Sequence, residues 1–515
     1  MDRRFLAAEI FMDTAAFNSY YHVYFSRSPM SRNQSSYRAR RWAVSNHAMP
    51  RRLYVPLSLV LFLAAGLAVT SGCSRSDSVP DALRSPMLFF AIDGLEWEVM
   101  QPLLAAGKLP AIEALMRAGT FGYLESMKPT YSPVIWTTIA TGKYPQKHGI
   151  RHFVYETRRG FRYYTSGHRK TKAFWNILSD YDLSVSCFGW WITYPAEPIN
   201  GMMVSQTNTT GVLRDPQRAL WKGALLRGVE GQVHPQEKQN EIMELLEDVD
   251  SSLDDITTDI FGEWPHPMTP FAELMWDQTL WAFRADAVYA RAAIDLVRSG
   301  EPFDLVSVYI GGPDVSAHRF WRYAYPEDFE HPPSAEQIEN FSALIDNYYA
   351  YTDRVIGEIV RAAPEGTAVM IASDHGMHTI NAGMVFNVDD LPDKTNSAHH
   401  LDAPPGIFIA AGGPFRNGTS VLDGEPLDLG SLDEVGGVLD ILPTLLAAKG
   451  VRLGKDLDGV PMLDVLTPRW RSMSEVRYVD SHDTREWLDA RNDRIRQAVD
   501  QTERLEQLRS LGYIK

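Results

Sequence analysis

Carboxylate and imidazole groups stand beside apolar runs of strand length at four places in the chain. Asp93 closes the first run, in AIDGLEWEV. Asp314 and His318 follow another, in GGPDVSAHRF; they are one helical turn apart, so both could reach one ion. Asp374 and His375 are adjacent in IASDHGMH, and His399 and His400 precede PPGIFIAAGGP. Each has an ordinary explanation on its own, because Asp after a strand often caps a turn or a helix. Together they offer three Asp and two or three His. Such a mixture suits Zn²⁺, with Mn²⁺ as the alternative for O/N ligands, and six groups suit two ions better than one. Residues 128–150, KPTYSPVIWTTIATGKYPQKHGI, add a hydroxyl. Ser132 before Pro133 reads as a helix cap followed by the favoured first helical residue. The same geometry puts a serine at the positive end of a helix, where phosphate is favoured. Beside a metal, that serine would be an activated nucleophile.

The elements that position these groups alternate. Met87–Ile92, Leu183–Trp190, Phe303–Ile310, Ala368–Ala372 and Ile407–Ala411 are continuous apolar runs, suited to strands buried on both faces. Helical spacing fills residues 109–118, 133–140, 277–299, 334–362 and 434–449. The alternation predicts an α/β domain, residues 86–470, around a central, mostly parallel sheet flanked by helices. Ligands of such sheets collect beyond the carboxyl ends of the strands, where the Asp and His residues stand. Residues 207–276 break the rhythm with an acidic run, Glu244–Asp259, and read as an inserted cap or an ordinary surface excursion. Residues 471–515 read as a C-terminal helical tail.

Composition narrows the function classes. The 515 residues are 45% apolar and 22% charged, which rules out disorder and fibrous repeats. Cysteine occurs twice, as Cys73 and Cys187, so neither a disulfide scaffold nor a Cys-rich zinc ribbon is possible. Residues 1–72 hold nine Arg and three acids, whereas the remainder carries a net charge of −21. So acidic a body is not expected to bind nucleic acid, which needs a basic face.

The N-terminal region reads as an address. Arg51 and Arg52 precede an apolar run from Leu53 to Val69 that ends in Thr70-Ser71-Gly72-Cys73. This resembles a bacterial lipoprotein signal, residues 49–73, with Cys73 lipidated; an uncleaved anchor helix is the alternative. Either places the body in the cell envelope, exported and held at the membrane. Residues 1–48 lie upstream of this signal and are expected to be a non-native extension, with translation starting at Met49. Residues 74–85 read as a linker.

Taken in order, the motifs resemble the alkaline phosphatase superfamily, and within it the type I phosphodiesterase/nucleotide pyrophosphatase family. The pieces are AIDG, SPVIWTTIATGKYPQKHGI, PDVSAH, SDHGM, the HH before PPGIFIAAGGP, and DILPTLLAAKGV with DLDGVPM. The resemblance spans about Pro86 to Leu466 and implies an alkaline-phosphatase-like sandwich with two zinc ions. One ion would be held by Asp93, Asp374 and His375, with Ser132 on it as nucleophile. The other would be held by Asp314, His318 and His400, with His399 as the alternative to His400. The implied reaction is cleavage of a phosphoester through a phosphoserine. Small-molecule, lipid or nucleotide-like esters are the implied substrates. One departure bears on the nucleotide: where the family has an Asn that touches phosphate, this chain has Ile135, which offers no hydrogen bond.

Phosphomonoesterase, phosphonate hydrolase and phosphotransferase activities would share these residues. A sulfatase would need a C/S-x-P-x-R run, which neither Cys187 nor Ser132 provides. A surface lipoprotein that only binds would be expected to lack a ligand, and none is missing. His148 is expected to cap and pack, Trp190, Trp191 and Tyr194 to pack more than to line a pocket, and Lys143 and Arg169 to be solvated.

Overall fold

The computed structural model describes residues 79–158, 160–206, 225–262, 270–379, 396–400, 403–416 and 427–510. The expected extension, signal, Cys73 and residues 74–78 of the linker lie outside the described residues, as do 207–224 and 263–269 of the expected cap. Asp77–Lys515 form one compact unit.

A nine-stranded sheet organises this unit. In chain order its strands are β1 (Met87–Ile92), β2 (Gly119–Glu125), β3 (Val185–Phe188), β4 (Met203–Val204), β5 (Val233–His234), β6 (Leu305–Ile310), β7 (Ala368–Ala372), β8 (Gly406–Ala411) and β9 (Glu434–Gly437). The spatial order is β9-β2-β8-β7-β1-β6-β3-β4-β5. β3, β6, β1 and β7 run parallel, and β8 is antiparallel to both β7 and β2. The principal helices are α1 (Trp97–Ala105), α2 (Pro110–Ala118), α3 (Ser132–Thr141), α4 (Gln239–Ser251), α5 (Leu253–Phe261) and α6 (Pro270–Arg298). They continue with α7 (Gly312–Ala324), α8 (Leu344–Ala362), α9 (Ile441–Ala448) and α10 (Arg485–Ser510).

The side-chain alternation of β1 explains the layers. Leu88, Phe90 and Ile92 enter one core with residues of α2, α4 to α8. Met87, Phe89 and Ala91 enter the opposite core with residues of α3 and α9. Every residue of β1, β6 and β7 is buried, as strands covered on both faces require.

Three expected elements differ. Residues 434–449 are not one helix: Glu434–Gly437 pairs with β2 and the helix begins at Ile441. Gly436 and Gly437 account for this, since each costs a helix about 1 kcal/mol relative to Ala. Residues 334–362 divide into Ala335–Phe341 and α8. The expected strand Leu183–Trp190 is shorter, Val185–Phe188. Alternation alone did not reveal β2, whose pattern is only half-buried. The acidic run Glu244–Asp259 is helical, and α4 and α5 bury Ile242, Leu246, Val249 and Ile260 against the main core. No helix among the described residues is long and apolar enough to cross a membrane.

α10 docks onto the unit through a buried ion pair. Arg169 and Glu197 are each 1% exposed and bond at 2.7 Å, with Trp175 Nε1 donating to the same carboxylate. Arg494 of α10 approaches Glu197 at 3.5 Å. The expected solvated state is therefore wrong for Arg169, and for Lys143, which is buried between Asp456 and Asp483. Their carboxylate partners lie too far along the chain for sequence spacing to reveal.

Candidate active site

Strand direction assembles the site. β1, β6 and β7 are parallel neighbours, so Asp93, Asp314 and Asp374, which follow them, arrive at one edge of the sheet. β8 runs the other way, so the residues that precede it arrive at that same edge. That is how His400 joins the group. β2 is antiparallel to β8, so its outgoing chain also emerges there and leads into Ser132.

Two groups result. Asp93, Asp374 and His375 place ligand atoms within 4.8 Å of one another, and so do Asp314, His375 and His400. His375 Nε2 is 3.3 Å from Asp93 Oδ1 and 3.3 Å from Asp374 Oδ2. Asp314 Oδ1 is 3.4 Å from His318 Nε2 and 3.8 Å from His400 Nε2. His375 and His400 stack with centroids 3.9 Å apart, and His318 meets His400 edge-on. The structure thus brings together all seven residues expected from the sequence. His375 stands between the two groups rather than belonging to one. His399 is in neither group, and its ring packs on that of His378.

The hydroxyl of Ser132 lies 3.5 Å from Asp93 Oδ1. Ser132 is the first residue of α3, not its cap; Tyr131 takes the cap position, without a side-chain bond. Ile135 is fully buried in the core beneath. Thr130, two residues upstream, donates its hydroxyl proton to the His400 carbonyl and so ties the two loops together.

Neighbouring acceptors orient the imidazoles. His318 Nδ1 donates to the Ala398 carbonyl at 2.7 Å, and His375 Nδ1 to the Gly376 carbonyl at 3.0 Å. Each leaves its Nε2 lone pair for the site, the usual arrangement behind metal-ligating histidines. Burial lowers the pKa of all three histidines, His318 to about 4. Burial, and then the charge of Asp93, pushes the Asp314 and Asp374 carboxyls well above the ordinary range.

A metal is tested by what these atoms lack. Asp314 Oδ1, both carboxylate oxygens of Asp374 and His375 Nε2 are buried without a hydrogen-bond partner. Buried polar atoms are almost always paired, so four orphans spread over these two adjoining groups fit a site for cations. The donor set fits a divalent ion of the Zn²⁺ type.

Sequence reasoning missed the groups that hold Asp93. Tyr309 of β6 donates its OH to Asp93 Oδ2 at 2.6 Å, and Trp136 Nε1 donates to the same oxygen at 3.0 Å. Trp191 Nε1 in turn donates to the Tyr309 oxygen at 2.8 Å. Tyr309 sits in an apolar strand and Trp136 inside a helix, where both read as packing residues. Trp190 and Tyr194 are buried packing residues, as expected. His148 is buried and bonds Thr138 Oγ1. Gly94 has its own signal in the D-G pair: its φ is +70°, and a Cβ there would lie 2.8 Å from the Asp314 backbone. Only glycine lets the loop after β1 pass so close to that ligand.

Comparison with known proteins bears on this arrangement. The family model for type I phosphodiesterase/nucleotide pyrophosphatase matches residues 87–422. No curated protein matches the chain. Among solved structures, human ectonucleotide pyrophosphatase/phosphodiesterase 5 is 12% identical, with a TM-score of 0.42 over 74% of this chain and 100% of that one. A phosphonoacetate hydrolase from Sinorhizobium meliloti 1021 is 16% identical, with a TM-score of 0.31 over 57% of each chain. A 2-O GAG sulfatase is 12% identical, with a TM-score of 0.42 over 77% of this chain and 76% of that one. The family match takes in β1 through β8 and with them every residue gathered at the sheet edge: the chain belongs to the type I phosphodiesterase/nucleotide pyrophosphatase family of phosphoester hydrolases.

Proposed function

We propose that the chain cleaves phosphodiester or pyrophosphate bonds through a phosphoserine on Ser132, with two divalent ions, Zn²⁺ before Mn²⁺, held by the seven residues at the sheet edge. The observation that carries this reading is the set of unpartnered Asp and His atoms beside a serine at the first turn of a buried helix. Asp93, Asp374 and His375 would hold one ion, with Ser132 beside it. Asp314, His318 and His400 would hold the other, with His375 close to both. When bound, such ions lower the pKa of a hydroxyl and neutralise charge on phosphoryl oxygens.

Ser132 Oγ gives up its proton and forms the new bond to phosphorus, while the ester bond opposite it breaks and the leaving oxygen departs with the electron pair and takes a proton from water. Asp93 Oδ1 is the hydrogen-bond partner of that hydroxyl, and Tyr309 and Trp136 fix the other oxygen of the carboxylate. Asp93 therefore presents one oxygen to the serine in a fixed direction. The positive end of α3 lies under the incoming phosphate. Water then cleaves the phosphoserine and restores the hydroxyl. Tyr131, next to Ser132, packs on His152 at 4.8 Å, and Phe153 packs on Trp191 at 5.7 Å. Half-buried rings beside the nucleophile favour an organic ester with a planar or apolar group. Export through residues 49–73 and lipidation at Cys73 belong to the same proposal and rest on the sequence alone; a Cys73→Ala chain should leave the membrane fraction.

The test compares bis-p-nitrophenyl phosphate, p-nitrophenyl phosphate and p-nitrophenyl sulfate as substrates of the zinc-loaded chain. Diester turnover that disappears in Ser132→Ala supports the proposal. Dominant monoester or sulfate turnover replaces it with another branch of the superfamily. No bound metal sinks it.

A further inference from the structure

The geometry assigns to Asp286 the role of positioning residue for Asp314 and His318, exercised through the backbone of the helix that carries them. This deepens the proposed function and rests on its reading of those two residues as metal ligands.

Asp286 belongs to α6, is 3% exposed, and touches neither Asp314 nor His318 in its hydrogen bonds. Its Oδ1 accepts from the Gly311 amide at 2.9 Å, and its Oδ2 accepts from the Gly312 amide at 2.7 Å. The Tyr348 hydroxyl of α8 donates to the same Oδ2 at 2.7 Å. Gly311 is the N-cap of α7 and has no side chain with which to cap it. The first turn of a helix has free amides that need acceptors. Here Asp286 supplies two from a neighbouring helix, and Pro313, next in line, has no amide to satisfy.

The consequence falls on Asp314. An Asp in the first turn of a helix is well placed to fold back and cap the free amides itself. With Gly311 and Gly312 already engaged, that competition is removed. Asp314 Oδ1 is left unpartnered and 3.4 Å from His318 Nε2. The Gly-Gly pair in GGPDVSAH fits the same device: a Cβ on Gly312 would lie 2.0 Å from the Tyr348 ring, which must approach closely to reach Asp286.

The test is a zinc titration of the full chain against a chromophoric chelator, with Co²⁺ spectra as a second readout. The unaltered chain is expected to take two ions. Asp286→Asn offers one acceptor for two amides and turns an N–H towards the other. It should weaken one of the two affinities by about tenfold or more, the scale seen when groups supporting metal ligands are removed, and leave the other unchanged. Asp286→Glu, which keeps both oxygens, should recover part of the loss. Should Asp286→Asn not fold, Tyr348→Phe removes one of the three donors and must weaken the same single site, by less. Equal loss at both sites, or a loss of urea stability with both affinities intact, overturns the assignment and leaves Asp286 a structural cap. An unaltered chain that takes up no metal would instead defeat the proposed function.

Discussion

Tyr309→Phe separates support of the site from support of the fold. The substitution removes one oxygen from a residue 4% exposed and leaves its ring in place. Two hydrogen bonds go with it. The bond to Asp93 Oδ2, 2.6 Å long, is charge-assisted and worth about 1.5–3 kcal/mol. The Trp191 indole N–H, which now donates to Tyr309 at 2.8 Å, is left without that acceptor, at a cost of about 1–3 kcal/mol. Trp136 still holds Asp93 Oδ2, so the carboxylate is not abandoned and the lower ends apply. The loss should be about 2.5 kcal/mol, read as a lower urea midpoint with an unchanged slope. Asp93 Oδ2 is then held by one donor, Trp136, instead of two. Zinc affinity at the Asp93 group should therefore fall about 10–100-fold, with diester turnover at limiting zinc falling alongside. Trp191→Phe is the control, because Trp191 bonds Tyr309 and not Asp93. It should cost stability and leave zinc affinity intact. A Tyr309→Phe chain that loses stability but keeps wild-type zinc affinity would refute the reasoning and reduce Tyr309 to packing.

His400→Ala should lose one zinc and nearly all diester turnover, whereas His399→Ala, whose ring packs on His378, should keep both; metal analysis after dialysis decides it. Glu197→Gln should cost about 3–5 kcal/mol, because it leaves the buried Arg169 charge uncompensated. It should also open α10 to proteolysis before the rest of the unit. Zinc uptake should release protons from Asp314 and Asp374, whose pKa values burial raises, at a pH where an ordinary carboxylate is already ionised, and not from histidines that burial keeps neutral. Affinity should then rise with pH without a step near the ordinary imidazole value of about 6.5. In the metal-free chain the same carboxyls bind more protons folded than unfolded, so their contribution to stability falls as pH climbs above about 4. Calorimetry in buffers of different ionisation enthalpy measures the release; a release left unchanged by Asp374→Asn would place the protons on imidazoles.

What the sequence made legible follows from local signals. β1 and β7 were readable to the residue, because strands buried on both faces are unbroken apolar runs with turn residues beyond them. One such Asp after a strand is ordinarily a turn or helix cap, and the Asp and His residues stood out only because four strand ends carry them together. The rest depended on pairing between distant segments. The antiparallel course of β8 brings the 399–400 pair to the site, where His400, the preferred residue of the pair, approaches Asp314 while His399 packs on His378. Tyr309, Trp136 and Asp286 act through groups far along the chain, so they look like core residues or a stray helical charge. Lys143 and Arg169 were misread for the same reason: a cation looks solvated until its partner carboxylate is placed in space.

The central claim is that Ser132 carries the phosphoryl group between two half-reactions. The direct measurement is an acid quench of the zinc-loaded chain during turnover of bis-p-nitrophenyl phosphate, followed by peptide mass mapping. The account predicts a phosphorylated fragment from residues 128–150 with the group on Ser132, absent from Ser132→Ala. A phosphoryl group on another residue, or undiminished turnover by Ser132→Ala, would contradict it.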